Sequence, residues 1–264
     1  MSTSATPIRI LVLVFALSTM RLVDPGVCSA ADRYEAAVNH PGRSAADLKR
    51  DARDHPAQIL RLAGIKSGMH VADVLAGDGY YSELLGNMVG PKGQVLMINN
   101  AAFDHWSDGD RQVRLAGHRL PNVEYRVLDL NQMNFEANSL DGIVLSKVYH
   151  DLYWVDAEGA TQGLWPKLNT SSVLDQLVHA LKRGGVVLLI DHSAKTGHGS
   201  ADASSLHRIE ESFARQDFEQ RGLKLIASSE LLRRADDPRE QISYKEPMLG
   251  KTDRFVLVFR KTKH

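Results

Sequence analysis

The stretch Met69–Asn100, MHVADVLAGDGYYSELLGNMVGPKGQVLMINN, changes its hydrophobic period twice. His70 to Leu75 is a short apolar run of the kind that forms a buried strand, whereas Tyr80 to Val89 carries apolar residues at helical spacing. The change falls on Ala76-Gly77-Asp78-Gly79. Glycines there can take positive φ and lack a Cβ, so backbone N–H groups at the start of the following helix can approach a bound molecule closely. Gly90-Pro91-Lys92-Gly93 then turns the chain into a second strand, Gln94 to Ile98, with Asn99 and Asn100 at its carboxyl end. With Asp73 inside the end of the first strand, the pattern is a βαβ unit holding a ligand at its glycine turn. The plainer alternative is a tight turn with no ligand.

Working outward, Ser44 to Leu62 reads as two short amphipathic helices interrupted at Pro56. Ala101 to Leu120 reads as an irregular loop with a modest helix. Val123 to Leu128 is a third strand ending at Asp129, and Ile143 to Ser146 a buried fourth, followed at once by Lys147-Val148-Tyr149-His150-Asp151-Leu152-Tyr153-Trp154. A helix from Ser171 to Leu181 stops at Lys182-Arg183-Gly184-Gly185 before a fifth strand, Val186 to Ile190. A glycine- and serine-rich loop runs from Asp191 to Ser200, then a helix from Ser204 to Gln220, a strand near Leu223 to Ala227 and a closing strand, Phe255 to Phe259. Strands alternating with helices predict a doubly wound α/β sheet, mostly parallel.

The chain has 264 residues, 43% hydrophobic and 24% charged, with 32 basic and 32 acidic side chains. That composition describes one globular domain, assigned to residues 31–264, with no basic block to track nucleic acid. Arg9, the apolar run Ile10 to Leu17 and Val27-Cys28-Ser29-Ala30 read as a signal peptide over residues 1–30, cleaved after Ala30. The run is short of the ~20 residues that span a bilayer, so no stable membrane insertion is expected after cleavage. The location predicted is exported, periplasmic or secreted. Cys28 is the only cysteine, so thiol chemistry and disulfides are absent from the mature chain.

In open α/β sheets ligands lie outside the carboxyl ends of the strands. Those ends carry Gly77-Asp78-Gly79-Tyr80, Asn99-Asn100, Asp129, His150-Asp151 and Asp191-His192. If strands one, four and five are neighbours, His150 and His192 share one rim, where a histidine oriented by Asp151 or Asp191 can act as a general base. Capping of the rim loops is the blander role for the same histidines. A metal reading draws on His150, Asp151, Asp191, His192, His198 and His207, but no spacing matches a signature such as His-Glu-x-x-His, so no metal is assigned. Tyr149, Tyr153, Trp154 and Trp165 either wall a pocket or belong to the core.

The run Val71 to Leu85, VADVLAGDGYYSELL, resembles the first motif of the class I S-adenosylmethionine-dependent methyltransferases, and the Leu181-Lys182-Arg183-Gly184-Gly185 turn and the later strand order agree with it. The resemblance covers roughly residues 45–261, and Tyr149-His150-Asp151-Leu152, Asp191-His192-Ser193-Ala194, Leu206-His207-Arg208-Ile209 and Gly250 to Leu257 are most similar to a group of predicted exported bacterial methyltransferases. It implies a seven-stranded sheet with the last strand antiparallel and S-adenosylmethionine as cofactor. Gly77 and Gly79 would face its methionine part within the motif residues Asp73, Ala76, Asp78 and Tyr80. Asn99 would stand at the ribose position, Asp129 at the adenine amino group, and Lys147 in the pocket lining. Two positions depart from the family pattern: Leu75 replaces its first glycine, and Asn99 replaces the acid that ends strand two. The implied activity is methyl transfer to a small molecule, with His150 or His192 as base and Asp151 beside it. The alternative is an exported protein that keeps the fold without methyl transfer, as a binding module or as a metal-dependent enzyme at the His150/His192 rim.

Overall fold

The structure, a computed structural model, describes Met1 and residues 32–262; residues 2–31, which hold most of the segment read as an export signal, and 263–264 lie outside the described part. Among the described residues three helices precede the sheet: α1 (Asp32–Val38), α2 (Ala45–Asp54) and α3 (Pro56–Ala63). The Ser44 hydroxyl caps α2 by accepting the Asp47 N–H at 3.0 Å. His55, in the left-handed region, and Pro56, in the first turn of α3, separate the second pair as the sequence predicts.

The chain then alternates: β1 (His70–Val74), α4 (Tyr80–Val89), β2 (Gln94–Asn99), α5 (Ala101–Leu115), β3 (Val123–Val127), β4 (Leu140–Ser146), α6 (Thr170–Ala180) and β5 (Leu181–His192). After α7 (Ala203–Leu206) and α8 (Glu211–Gln220), β6 (Leu223–Ser229) and β7 (Arg254–Lys261) complete a seven-stranded sheet of order β3-β2-β1-β4-β5-β7-β6. β7, last in sequence, pairs antiparallel with both β5 and β6, and the other pairings are parallel. Strand order reverses between β1 and β4, which opens a crevice at their carboxyl ends.

Successive residues of each central strand point to opposite faces, and both faces are covered. Ala72, Val74, Ile143, Leu145 and Leu189 pack with Leu174 of α6 and Phe218 of α8. Val71, Val95, Val144 and Leu188 pack with Leu60 of α3 and Leu84 of α4. Two-sided burial explains why these strands read as continuous apolar runs. No helix among the described residues is long and apolar enough to cross a membrane.

Three elements differ from expectation. β5 already begins at Leu181, so Lys182 to Gly185, expected as the turn that stops the preceding helix, fall within its irregular start, where the register against β4 shifts between Leu140 and Gly142. Residues 101–120 hold a fifteen-residue helix, α5, capped by the Asn100 side chain, which accepts the Phe103 N–H at 2.9 Å. The single helix expected over Ser204 to Gln220 is two, α7 and α8, parted by His207 at φ 50° and by Ile209, which bridges to Ser193 beside β5.

Candidate active site

The glycine turn takes the backbone shape that its composition requires. Leu75, Gly77 and Gly79 have φ of 54°, 60° and 87°, so the position where the resembled family has glycine is left-handed, although a leucine occupies it. A Cβ built on Gly77 would meet nothing within 4 Å. The turn therefore faces open space at Gly77, whereas Gly79, expected to face the cofactor with it, packs inward: a Cβ there would lie 2.7 Å from Met97 Cε, and Gly79 does not line the cavity at the turn. Asn99, fully buried, accepts the Gly77 N–H through Oδ1 and donates from Nδ2 to the Gly77 carbonyl, both at 2.9 Å. Its amide is thus committed to the turn rather than extended toward a ribose. Asp73 accepts from the Ser82 hydroxyl at 2.7 Å and ties β1 to α4. Asp78 is held by Arg114, which donates to its carbonyl at 2.8 Å and its carboxylate at 2.9 Å and also pairs with Asp47 and Glu83.

Ion pairs lay α2 over this turn. The Tyr80 hydroxyl donates to Asp51 at 2.6 Å, the Arg50 guanidinium sits 3.6 Å from the centre of the Tyr80 ring, and Asp54 accepts from Arg254 at 2.9 Å. Beneath α2 lies a cavity of about 240 Å³ lined by Arg50, Asp73, Ala76, Gly77, Asp78 and Tyr80 among others. Burial pushes the Asp73 carboxyl up to about 7. Burial, joined by the Arg50 charge, brings the Lys147 ammonium down to about 7. Lys147 is itself left-handed, at φ 62°.

A second cavity, of about 420 Å³, adjoins the first: Phe103, Lys147, His192 and Tyr244 line both. Trp106, Trp154 and Trp165 wall it, and the Trp165 indole N–H there is buried with no partner among the described residues. Tyr149 is core, its hydroxyl donating to Asp217 at 2.6 Å, and Tyr153 bonds to the same carboxylate.

His150 and His192 do share the rim, with ring centres 6.0 Å apart. Asp191, at the end of β5, accepts from the His150 backbone N–H at 2.8 Å, and its Oδ1 lies 2.7 Å from His150 Nδ1. Asp151 Oδ1 lies 3.2 Å from His150 Nε2. Burial would lower the His150 pKa, but the Asp151 and Asp191 carboxylates raise it to about 10. His192 goes the other way, well below its ordinary value, through burial and the neighbouring His150 charge. The recorded partner of its ring is Thr252 Oγ1, 2.7 Å from Nδ1, leaving Nε2 without a protein partner among the described residues. His207 joins this group from the α7–α8 break, whereas His198 pairs with Asp202 at 2.8 Å and does not line either cavity.

Asp129 stands apart. Its carboxylate accepts from the Asn131 N–H at 2.9 Å and Gln132 Nε2 at 2.8 Å, and it lines a separate hollow of about 230 Å³ with Asn100, whose buried Nδ2 has no partner among the described residues. Sequence reading missed Arg50 and Tyr244. Neither lies at a strand end, and only the packing of α2 and of residues 230–253 brings them in.

No protein-family model matches the chain. The ubiquinone/menaquinone biosynthesis C-methyltransferase UbiE of Pseudomonas fluorescens is 25% identical over 139 residues, 52% of this chain and 47% of that protein. The Pseudomonas putida KT2440 counterpart is 24% identical over the same shares. The chain spans about half the length of the curated relatives it matches. Among solved structures, an S-adenosylmethionine-dependent methyltransferase from Aquifex aeolicus is 20% identical, with a TM-score of 0.54 over 81% of this chain and 98% of that one. The cyclase SpnF is 11% identical, with a TM-score of 0.55 over 83% of each chain. The chain thus has the seven-stranded fold of the class I S-adenosylmethionine-dependent methyltransferases.

Proposed function

We propose that the chain transfers a methyl group from S-adenosylmethionine to a small molecule seated between the tryptophans. The observation that carries this reading is the meeting of two cavities at Phe103, Lys147, His192 and Tyr244, one at the glycine turn and one aromatic, so that a donor and an acceptor can touch. The partial likeness to C-methyltransferases supports it.

The residues present fit the donor. Its amino-acid end carries a carboxylate and an ammonium, and the glycine-turn cavity offers Arg50 and Lys147 to the first and Asp73 to the second. The unpartnered Asn100 Nδ2 and the Asp129 carboxylate offer a donor and an acceptor to a purine edge in the neighbouring hollow. When bound, the cofactor supplies a methyl group activated by its sulfonium.

The remaining work belongs to the chain. Gly77 leaves room for close approach, and Asn99 acts through Gly77 by fixing the turn. Trp154, Trp165 and Tyr244 seat an acceptor with an apolar face and exclude water around it. His192 is the group assigned to take the acceptor's proton. In the tautomer that carries its proton on Nδ1, toward Thr252 Oγ1, its Nε2 keeps a lone pair, whereas both ring nitrogens of His150 lie against carboxylates.

Calorimetric titration with S-adenosylmethionine and S-adenosylhomocysteine tests the reading. Gly77→Ala adds a methyl group that meets no protein atom, so the variant folds at a backbone cost of about 1–2 kcal/mol, and its affinity should fall at least roughly tenfold. Absence of heat with folded wild type, or equal affinity in the variant, would overturn it.

A further inference from the structure

The geometry points to a divalent transition-metal site in the wall of the aromatic cavity, held by His150 Nε2, Asp151 Oδ1 and His207 Nδ1. These three side chains offer ligand atoms that all lie within 4.8 Å of one another. Asp151 Oδ1 is 3.2 Å from His150 Nε2 and 3.3 Å from His207 Nδ1. Two ligands each about 2.0–2.2 Å from one ion, at angles between octahedral and tetrahedral, stand roughly 3.0–3.4 Å apart. The first distance lies at the long end of the 2.7–3.2 Å range of N–H···O hydrogen bonds and the second just beyond it.

The surroundings support the assignment independently. Asp191 engages His150 Nδ1 at 2.7 Å, which leaves Nε2 as the ligating atom and reproduces the carboxylate–histidine–metal relay that orients imidazole ligands. Burial encloses the pair, with His150 3% and Asp151 8% exposed. His207 is the C-cap of α7, in the left-handed region at φ 50° that commonly ends a helix, and this turn aims its ring at the pair. Tyr244 packs edge-on against its ring at 4.7 Å, and the adjacent Arg208 is fully buried, so the imidazole is presented from a fixed point.

Two imidazoles and one carboxylate select a first-row ion such as zinc, iron, manganese or cobalt over magnesium or calcium, which prefer all-oxygen sites. Three protein ligands leave coordination positions open, and all three residues line the cavity. The open positions suit an acceptor that reaches the ion through an oxygen donor. That last clause rests on the methyl-transfer reading; the metal site does not.

The test uses the chain stripped with chelator and titrated with Co(II), followed by its visible absorption, and with Zn(II) by calorimetry. One equivalent should bind wild type. His207→Ala, at a partly exposed position, should keep the fold by circular dichroism and lose at least roughly tenfold in affinity, and Asp191→Asn should lose roughly 10–100-fold. His198→Ala should bind as wild type does. Folded wild type that gives neither cobalt bands nor zinc heat overturns the site, as does His207→Ala binding with undiminished affinity. S-adenosylmethionine titrated into the same samples separates the two ideas. Its binding should survive His207→Ala within a few-fold, and wild type that binds S-adenosylmethionine but neither cobalt nor zinc sinks the metal site alone.

Discussion

Asp73 is buried in the end of β1 with its hydroxyl partner Ser82, and its carboxyl titrates near 7 because burial penalises the charge and Asp78 repels it, against the pull of Ser82 and Arg50. The folded chain therefore holds a proton that the unfolded chain releases near 4. Stability is fully present below that value and is lost as pH rises toward 7, at up to about 1.4 kcal/mol per pH unit. Asp73→Asn removes the titration and keeps an acceptor for Ser82. Its stability relative to wild type should grow from pH 4 to 7 and level off above, in urea unfolding at pH 4.5, 6, 7 and 8. A difference that stays flat across that range would show that the carboxyl is not the group described. The same residue shows what a sequence can disclose. The strand, turn and helix that hold Asp73, Gly77 and Gly79 are legible because the hydrophobic period changes there. The role of Asn99 is not, since its amide closes on Gly77 across 22 residues of chain, and that contact exists only once the turn has its shape.

Elements α7 and α8 carry the same lesson at larger scale. Helix-forming residues run almost unbroken from Ser204 to Gln220, which reads as one helix. The break has long-range causes. Arg208 donates to the Ser193 and Gln241 carbonyls and to both oxygens of Asp237, with neither charged side chain exposed. Ile209 N–H donates to the His192 carbonyl at 3.0 Å. These bonds pin residues 206–210 to β5 and anchor the segment 230–253 that brings Ser243 and Tyr244 to the cavity. Removing one partner of such a buried pair strands the other, so Arg208→Ala and Asp237→Ala should each cost about 3–5 kcal/mol. The double variant should cost several kcal/mol less than their sum, since nothing is left stranded. Additive losses in denaturant unfolding would place the stabilisation elsewhere.

For the whole molecule, alternating strands and helices made the sheet and its rim legible, because parallel strands deliver their carboxyl ends to one edge. The covering parts were not legible. α2 precedes the sheet and residues 230–253 lack regular structure, yet Arg50 and Tyr244 come from them to line the glycine-turn cavity. α2 is fixed over that cavity by charges: Asp47 to Arg114, Asp51 to Arg43 and to the Tyr80 hydroxyl, Asp54 to Arg254. A bound amino acid would add its carboxylate to Arg50 and its ammonium to Asp73, tying α2 and β1 together through the ligand. Ligand binding then stabilises the molecule by RT ln(1 + [L]/Kd). S-adenosylhomocysteine at a hundred times its dissociation constant should add about 2.7 kcal/mol, a rise in Tm of roughly 5–10 °C for a chain of this size. If the ligand acts through α2, hydrogen exchange should slow most in residues 45–54 and around Tyr244, and little in β6 at the far edge. Uniform slowing would mean that the gain is only global linkage, and no rise in Tm would mean that the charges over the glycine turn hold α2 to the sheet without a ligand between them.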